Sequence, residues 1–387
     1  MTAGLKFRAQ RVLARLAKSV PREALRDHPD VHDYLEFGGP EEIALPAADS
    51  VETTNPAWLR SNLALWQPSW PAPFVCLCDN TRLLGSLYLG VTQQGEMILE
   101  TTRTAGSPEL LWPKITRHTL RNMLSLTNRA LERLPADVVA PLFHVSQDSY
   151  FHWFCDVLPI VEAARRLEGA RGVRVTFLAG KPLRAWQLET LALLGVDPAA
   201  IIYWSGTAAR VSTLMVASVR TDGWTCLPSI ASLRWIRTEM MRTALPAKET
   251  PPDIYVRRTG RRQFTNEDEV TALMASRGIA AVDTDGMPVV DQIRLFNQAR
   301  LIVSPHGAGL TNLIFSEQAQ VVELFGPWKS LCFATIARGF GHGYAGVDLL
   351  PSAGFQDSGA AGRSADVRAD PALIQPALDR ALDHARR

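Results

Sequence analysis

The stretch that decides the fold of this 387-residue chain is LIVSPHGAGLTNLIFSEQAQVVELF, residues 301–325. An apolar, β-branched run leads into SPHGAG at 304–309, apolar residues follow at helical spacing, and a second apolar run reaches Glu323. This order predicts a strand, a glycine loop, a short helix and another strand. Backbone N–H groups and the dipole at a helix start favour an anion. The stretch therefore predicts an anion site with His306 as a donor, although a tight turn capped by His306 is the alternative for this motif alone.

Four arginines follow a second apolar strand, at residues 254–256. They are Arg257, Arg258, Arg261 and Arg262. The carboxyl ends of parallel strands meet at one edge of a sheet, so these arginines and the glycine loop are expected side by side. Guanidinium groups clamp phosphates through paired hydrogen bonds, which predicts a diphosphate ligand. When the arginines are taken alone, a solvated basic turn is the preferred explanation.

Glu323 is expected at the same sheet edge, at the end of the strand that follows the glycine loop. A carboxylate there can accept hydrogen bonds from both hydroxyls of a ribose, as acidic residues do in dinucleotide sites. An ion pair with one of the arginines is the alternative.

The first half of the chain contains a further candidate, HVSQDSYFHWFCDVLP at residues 144–159. His152 and Asp156 are four residues apart, so they lie on one face of a helix. Such a pair can act as a general base, with either the imidazole or the carboxylate taking the proton. If the whole segment is helical, His144, Asp148, His152 and Asp156 form a ladder that can bind a metal. We expect instead that the helix begins after Asp148 and that His144 lies on the preceding strand.

The acidic triplet Asp283-Thr284-Asp285 is a weaker metal candidate. It lies between a strand and a helix and precedes Gly286. This position favours an Asx-type turn over a metal site.

Composition excludes several classes of protein. Lys and Arg number 41 against 39 Asp and Glu, so no excess of positive charge indicates a nucleic-acid partner. Five scattered cysteines favour reduced thiols in the cytoplasm over a disulfide framework.

The sequence contains no apolar run long enough for a membrane span and no signal-peptide core. Residues 5–20 form a basic amphipathic pattern, for which an ordinary surface helix is the first interpretation and peripheral membrane contact the second.

Taken together and in this order, three segments resemble glycosyltransferase family 61, whose bacterial members include capsular polysaccharide biosynthesis proteins. The segments are HWFCDVLP at 152–159, YVRR through RQFTNE at 255–267, and HGAGLTN through VELF at 306–325. The resemblance spans residues 70–350. It implies an α/β, GT-B-like fold of two Rossmann-like domains facing a cleft, and inverting transfer that needs no metal or cofactor.

The resemblance also assigns residues and partners. His152 and Asp156 become the catalytic pair. The donor-binding residues become Arg257, Arg258, Arg262, Asn266, His306, Gly307, Ala308, Gly309, Thr311, Asn312 and Glu323. The co-substrate is a nucleotide-sugar, expected to be a UDP-sugar, and the acceptor is a glycan or a lipid-linked glycan. The oligomeric state stays open, as do two rival functions: a metal-dependent hydrolase using the four-residue ladder, and a non-catalytic nucleotide-binding subunit.

The same reading divides the chain into four parts. Residues 1–73 are a lead-in that carries the basic helix, and residues 74–246 an acceptor-side α/β domain with a β-rich start. Residues 253–350 are the nucleotide-sugar-binding domain, and residues 351–387 a flexible segment and a C-terminal helix. Within the third part, Asn266 is expected to cap a helix together with Glu269.

Overall fold

The structure is a computed structural model that describes residues 19–42, 52–53, 69–102, 131–206, 208–221, 226–244, 249–326, 328–349 and 365–386. Most of the helix expected at residues 5–20 and of the flexible segment expected at 352–369 therefore lies outside the described residues.

The strands, in chain order, are β1 (Ser19–Val20), β2 (Val31–Glu36), β3 (Glu41–Glu42), β4 (Glu52–Thr53), β5 (Ser69–Trp70), β6 (Phe74–Asp79), β7 (Arg82–Leu84), β8 (Leu89–Val91), β9 (Met97–Ile98), β10 (Glu132–Arg133), β11 (Val138–Pro141), β12 (Val175–Ala179), β13 (Ile202–Tyr203), β14 (Ala208–Arg210), β15 (Thr213–Ala217), β16 (Asp253–Val256), β17 (Ala280–Val282), β18 (Leu301–Pro305), β19 (Gln320–Phe325) and β20 (Gly343–Asp348).

The α-helices are α1 (Arg22–Leu25), α2 (Tyr150–His152), α3 (Leu158–Arg171), α4 (Ala185–Leu193), α5 (Ile230–Ala244), α6 (Glu267–Ala275), α7 (Val289–Gln298), α8 (Cys332–Gly339) and α9 (Pro371–Ala385). A π-helical turn, Trp153–Val157, joins α2 to α3. The 3₁₀ helices are Gly85–Leu87, Leu99–Thr102, Pro198–Ala200 and Ala308–Phe315.

The chain divides into two compact units. The first comprises residues 1–41 and 70–232, and the second comprises residues 42–69 and 233–387. This grouping differs from the expected lead-in at 1–73, because β4 pairs with β20 of the second unit whereas β2 pairs with β6 of the first.

The main sheet of the first unit has the strand order β13-β12-β11-β15-β6-β2. The first four strands are parallel, as the alternation of apolar runs and helices predicts, and β6 and β2 add an antiparallel edge. Strand β12 lies on one side of β11 and β15 lies on the other. The order in which strands are added to the sheet therefore reverses at β11. In open α/β sheets, ligands bind at such a switch point, outside the carboxyl ends of the strands.

A second sheet in the first unit has the order β1-β9-β8-β7-β14-β10. Its antiparallel pairs, β7 with β8 and β8 with β9, account for part of the β-rich stretch expected at the start of the domain 74–246. Strand β6 of the same stretch joins the main sheet instead.

The second unit contains one parallel sheet of order β17-β16-β18-β19-β20-β4. Its first five strands follow the order of a doubly wound α/β sheet, with the switch point between β16 and β18. Helix α9 packs on β19 and β20, while α7 and α8 pack on the 3₁₀ helix Ala308–Phe315. The expected order of elements from residue 254 to residue 325 is confirmed.

Within the described residues, none of the helices has both the length and the apolar character needed to cross a membrane.

Candidate functional site

The switch point of the second unit brings the two basic and glycine-rich motifs together. Strand β16 ends at Val256 and is followed by the arginines, and its neighbour β18 ends at Pro305 and is followed by the glycine loop. The Arg258 guanidinium donates from Nη1 to the His306 carbonyl at 2.9 Å and from Nε to the Arg261 carbonyl at 2.7 Å. The predicted meeting of these two motifs is therefore confirmed.

Gly307 is the residue that permits this approach. A Cβ atom on Gly307 would lie 2.0 Å from Arg258 Nη1, whereas a Cβ atom on Gly309 would have no neighbour closer than 3.7 Å. Glycine at both positions could equally leave room for a ligand to approach the backbone. The structure gives Gly307 a different partner, because the space above it holds the Arg258 side chain.

Positive charge accumulates beside the loop. Burial, together with the neighbouring Arg262 and Arg261, lowers the pKa of Arg258 to about 10 against the attraction of Asp285. Burial and Arg261 also lower the pKa of Arg262. Arg257 is exposed at the start of the same loop. An anion bound here would relieve the mutual repulsion of the guanidinium groups.

His306 is held rigidly beside this cluster. Its Nδ1 atom bonds the Glu323 carboxylate, and its ring contacts Phe325 and Phe333 at centroid distances of 5.5 Å and 5.2 Å. His306 and Arg262 line the same small cavity, together with Trp328. Because Nδ1 is bonded to Glu323, Nε2 is the ring atom of His306 that is available to bind a ligand.

Glu323 differs from its expected role. It lies within β19 instead of at its end, it is fully buried, and its two carboxylate oxygens accept from His306 Nδ1 and from the Tyr344 hydroxyl. Both oxygens are thus already engaged. In this structure Glu323 orients His306, and a direct bond to a ribose would require that arrangement to break.

Three other residues of the expected donor site serve the scaffold instead. Thr311 and Asn312 have no exposed surface, and the Asn312 amide donates to Gln292 Oε1 at 2.8 Å. Asn266 precedes α6 but forms no side-chain cap; its amide bonds the backbone of Ala369 and donates to Glu269. Asn266 therefore lies at the N-cap position as expected, but it makes no side-chain capping bond, because its amide secures the segment that enters α9.

The acidic triplet forms the expected turn. The Asp285 backbone N–H donates to the Asp283 side chain at 2.9 Å, which is an Asx-type hydrogen bond. The Thr259 hydroxyl donates to the Asp285 carboxylate.

The candidate catalytic pair lies at the switch point of the first unit, after β11. His152 ends α2, and Asp156 lies in the π-helical turn that follows. His152 Nδ1 donates to Asp156 Oδ2 at 2.8 Å, so the expected contact between these residues is confirmed. The Asp156 side chain is 4 % exposed and that of His152 is 24 % exposed. Insertions of this π-helical kind occur frequently at functional sites.

The environment of Asp156 keeps it ionised. Burial by itself would raise the pKa of this carboxyl group, but electrostatic interactions with His144 and His152, the hydrogen bond from His152 and the nearby Thr221 hydroxyl outweigh burial and lower the pKa. A carboxylate that holds its charge so firmly is a poor proton acceptor and a good partner for an imidazolium ion.

His144 completes the cluster in a way that the sequence did not indicate. It lies in the loop after β11 and not on the strand, and its ring stacks on His152 at 4.7 Å. His144, His152 and Asp156 each place a ligand atom within 4.8 Å of the others, and no other such group occurs among the residues described.

The fit of this cluster to a metal is poor. His144 Nδ1 already accepts a hydrogen bond from the Ser146 backbone at 3.1 Å, and Asp156 Oδ2 is bonded directly to His152. Asp148, the fourth member of the expected ladder, lies apart and pairs with Lys181 at 2.5 Å. The expectation that the helix begins after Asp148 is therefore confirmed, because α2 begins at Tyr150, and the alternative four-residue ladder does not form.

Sequence reasoning missed the residues that support both candidate sites. Thr221 contributes to the environment of Asp156, and Tyr344 bonds Glu323. Neither residue belongs to a motif, and each is brought to its site by a strand pairing that is distant in the chain. No local sequence signal could have identified them.

Comparison with known proteins agrees with this geometry. The model of the family "Glycosyltransferase 61" matches residues 150–322, a range that includes His152, Asp156, the arginine loop and the glycine loop. The resemblance to this family is therefore confirmed over residues 150–322.

A curated relative gives the same class. The chain is 31% identical over 86 residues to the EGF domain-specific O-linked N-acetylglucosamine transferase of Drosophila melanogaster. This alignment covers 21% of the chain and 16% of that protein. Together the two comparisons support the predicted enzyme class, a transferase.

Proposed function

We propose that this protein is an inverting, metal-independent glycosyltransferase that moves a sugar from a nucleotide-sugar, expected to be a UDP-sugar, to a hydroxyl group of a glycan or lipid-linked acceptor in surface polysaccharide synthesis. The observation that carries the proposal is the arginine and glycine-loop site at the β16–β18 switch point, where several guanidinium groups and His306 converge. Such a site fits the diphosphate of a donor and can stabilise it as a leaving group.

The first unit supplies the base in this proposal. The Asp156 carboxylate accepts from His152 Nδ1, so the free electron pair of the imidazole lies on Nε2. His152 Nε2 takes the proton of the acceptor hydroxyl, the hydroxyl oxygen bonds to the anomeric carbon, and the carbon–oxygen bond to the diphosphate breaks. The bonding electrons leave with the diphosphate, which the arginines stabilise. Asp156 stabilises the imidazolium ion that forms.

We assign acceptor chemistry to the first unit and donor binding to the second, the division of labour of a GT-B enzyme. The five cysteines support a cytoplasmic location, because all of them are thiols and none forms a disulfide. Peripheral membrane contact through residues 5–20 stays a hypothesis.

A thermal-shift screen of the full chain tests the proposal. We expect a nucleoside diphosphate to raise the unfolding midpoint, with or without EDTA, because a ligand that binds only the folded state must stabilise it. Transfer or slow hydrolysis of the matching nucleotide-sugar should follow and should also survive EDTA.

Two outcomes would overturn the proposal. A shift with a divalent metal and none with nucleotides, together with loss of activity in EDTA, would favour the metal-dependent hydrolase. Nucleotide binding without turnover of any nucleotide-sugar, in the presence of mixed glycan acceptors, would favour a non-catalytic subunit.

A further inference from the structure

The segment after β15 is bound to the turn that carries the candidate catalytic pair. The Thr221 hydroxyl donates to the Cys155 carbonyl at 3.0 Å, and both residues are buried. Cys155 immediately precedes Asp156 in the π-helical turn. Because β15 and β11 are neighbours at the switch point, the segments after them meet there, and this bond joins the segment after β15 to the π-helical turn.

The π-helical turn needs such a bond more than a regular helix would. Its five residues, Trp153–Val157, interrupt the hydrogen-bond ladder between α2 and α3. Backbone carbonyls within a π turn do not follow the regular i to i+4 pattern, so the turn alone fixes their direction less firmly. A donor from outside the helix, directed at the Cys155 carbonyl, fixes the peptide unit next to Asp156.

Thr221 is itself held firmly by its neighbour Arg220. The buried Arg220 guanidinium donates to the Ser229 hydroxyl at 2.6 Å and pairs with Glu41 at 3.1 Å. The Arg220 carbonyl accepts from the Ser229 backbone at 2.8 Å. One residue earlier, the Val219 backbone donates to Glu100 at 3.0 Å. Thr221 therefore links the π-helical turn to a segment that several buried hydrogen bonds hold in place.

We propose that Thr221 is a positioning residue for the His152–Asp156 pair, holding the π-helical turn through the Cys155 carbonyl so that Asp156 keeps the orientation in which it accepts from His152 Nδ1. This inference rests on the proposed function, in which His152 is the base.

The test compares three variants. Thr221→Val keeps the size of the side chain and removes the hydroxyl, and Thr221→Ser keeps the hydroxyl. The matched control is Thr81→Val, because the buried Thr81 hydroxyl also donates to a cysteine carbonyl, that of Cys78 at 2.9 Å, but at the end of β6 and outside the candidate site. Thr221→Ala replaces Thr221→Val if the valine variant does not fold.

We expect Thr221→Val to lower kcat between about 10-fold and 100-fold with little change in the KM of the donor, since a small displacement of a catalytic group costs this much. Thr221→Ser should recover most of the loss, and Thr81→Val should leave kcat unchanged. An unchanged kcat in Thr221→Val, or an equal loss in Thr81→Val, would overturn the inference.

A second readout does not depend on turnover. In ¹⁵N-histidine NMR spectra, assigned by the signals lost in His152→Gln, the native protein should show the His152 proton on Nδ1, whereas Thr221→Val should show a mixture of the two tautomers. If the native protein catalyses no transfer but this change appears, the proposed function fails and the positioning role stands. Identical His152 spectra in both proteins would overturn the positioning role.

Discussion

Arg258 occupies the space that a side chain at position 307 would need. Its Nη1 atom donates to the carbonyl of His306 and lies where a Cβ atom on Gly307 would come within 2.0 Å. The backbone of Gly307 is extended, with φ of −176°, so its conformation does not require glycine. Glycine is therefore required at position 307 by the nearby Arg258 side chain and not by the backbone conformation.

Gly307→Ala should weaken binding of a nucleoside diphosphate by at least about 10-fold, the effect of losing a charge-assisted hydrogen bond. The added methyl group displaces the end of the Arg258 side chain, which is flexible, so the unfolding midpoint should change little. Isothermal titration with UDP measures the effect. Gly169→Ala is the control and should bind as the native protein does, because Gly169 lies in α3, outside the proposed donor site, and a Cβ atom there would meet no neighbour within 4 Å. Equal binding by the two variants would contradict the role given to Arg258.

Asp156→Asn should lower kcat by at least about 100-fold while sparing donor binding, since the amide can donate to His152 Nδ1 and select the wrong tautomer. Steady-state kinetics with a UDP titration separate the two effects. Asp148→Asn is the control, because Asp148 belongs to the same sequence segment but pairs with Lys181 at the surface. Near-normal turnover in Asp156→Asn would remove this residue from the mechanism.

Glu323→Gln tests whether this carboxylate orients His306 or binds ribose. We expect weaker binding of both UDP and 2′-deoxy-UDP by a similar factor, because Glu323 already accepts from His306 and Tyr344. The buried charge-assisted bonds also predict a loss of roughly 1–3 kcal/mol in the free energy of unfolding. A preference for UDP in the native protein that disappears in Glu323→Gln would show instead that Glu323 contacts the ribose.

Acid should destabilise the second unit through His342. Its Nε2 atom donates to the Leu313 carbonyl at 2.9 Å and its Nδ1 atom accepts from the Ala319 backbone at 3.3 Å, so the ring is neutral when folded. Burial, with the charge of Arg237, lowers the pKa of His342 below its ordinary value of 6.5. The unfolded chain then binds a proton more readily than the folded chain. Stability should therefore decrease as the pH falls from 6.5 towards the folded pKa, by up to about 1.4 kcal/mol per pH unit.

The measurement for His342 is the free energy of unfolding in urea at pH 7.5 and at pH 5.5. His342→Gln, which cannot take up a proton, should be less stable at pH 7.5 and should lose less stability between the two pH values. An equal pH dependence in the variant and the native protein would contradict this role for His342.

Much of the second unit could be predicted from local patterns. The apolar runs at β16, β18 and β19, the helices between them and the meeting of the two motifs at one sheet edge all follow from periodicity and from the rules of parallel sheets. The contact between His152 and Asp156 follows equally from their spacing of four residues.

The roles of individual side chains could not be predicted in this way. Asn266, Thr311 and Asn312 belong to the motif text, yet they are buried in the scaffold. A motif records which residue types recur together, whereas burial depends on which face of each element the rest of the fold covers.

The sequence by itself determined the order of the elements, the two switch-point motifs and the spacing of the candidate catalytic pair, because these depend on interactions between residues close in the chain. Only the tertiary structure decided that Glu323 holds His306, that His144 joins His152 while Asp148 does not, and that Thr221 secures the turn beneath Asp156. These contacts connect residues that are far apart in the sequence and that strand pairing and loop closure bring together. Their geometry is set when distant segments pack together, and no local pattern specifies it.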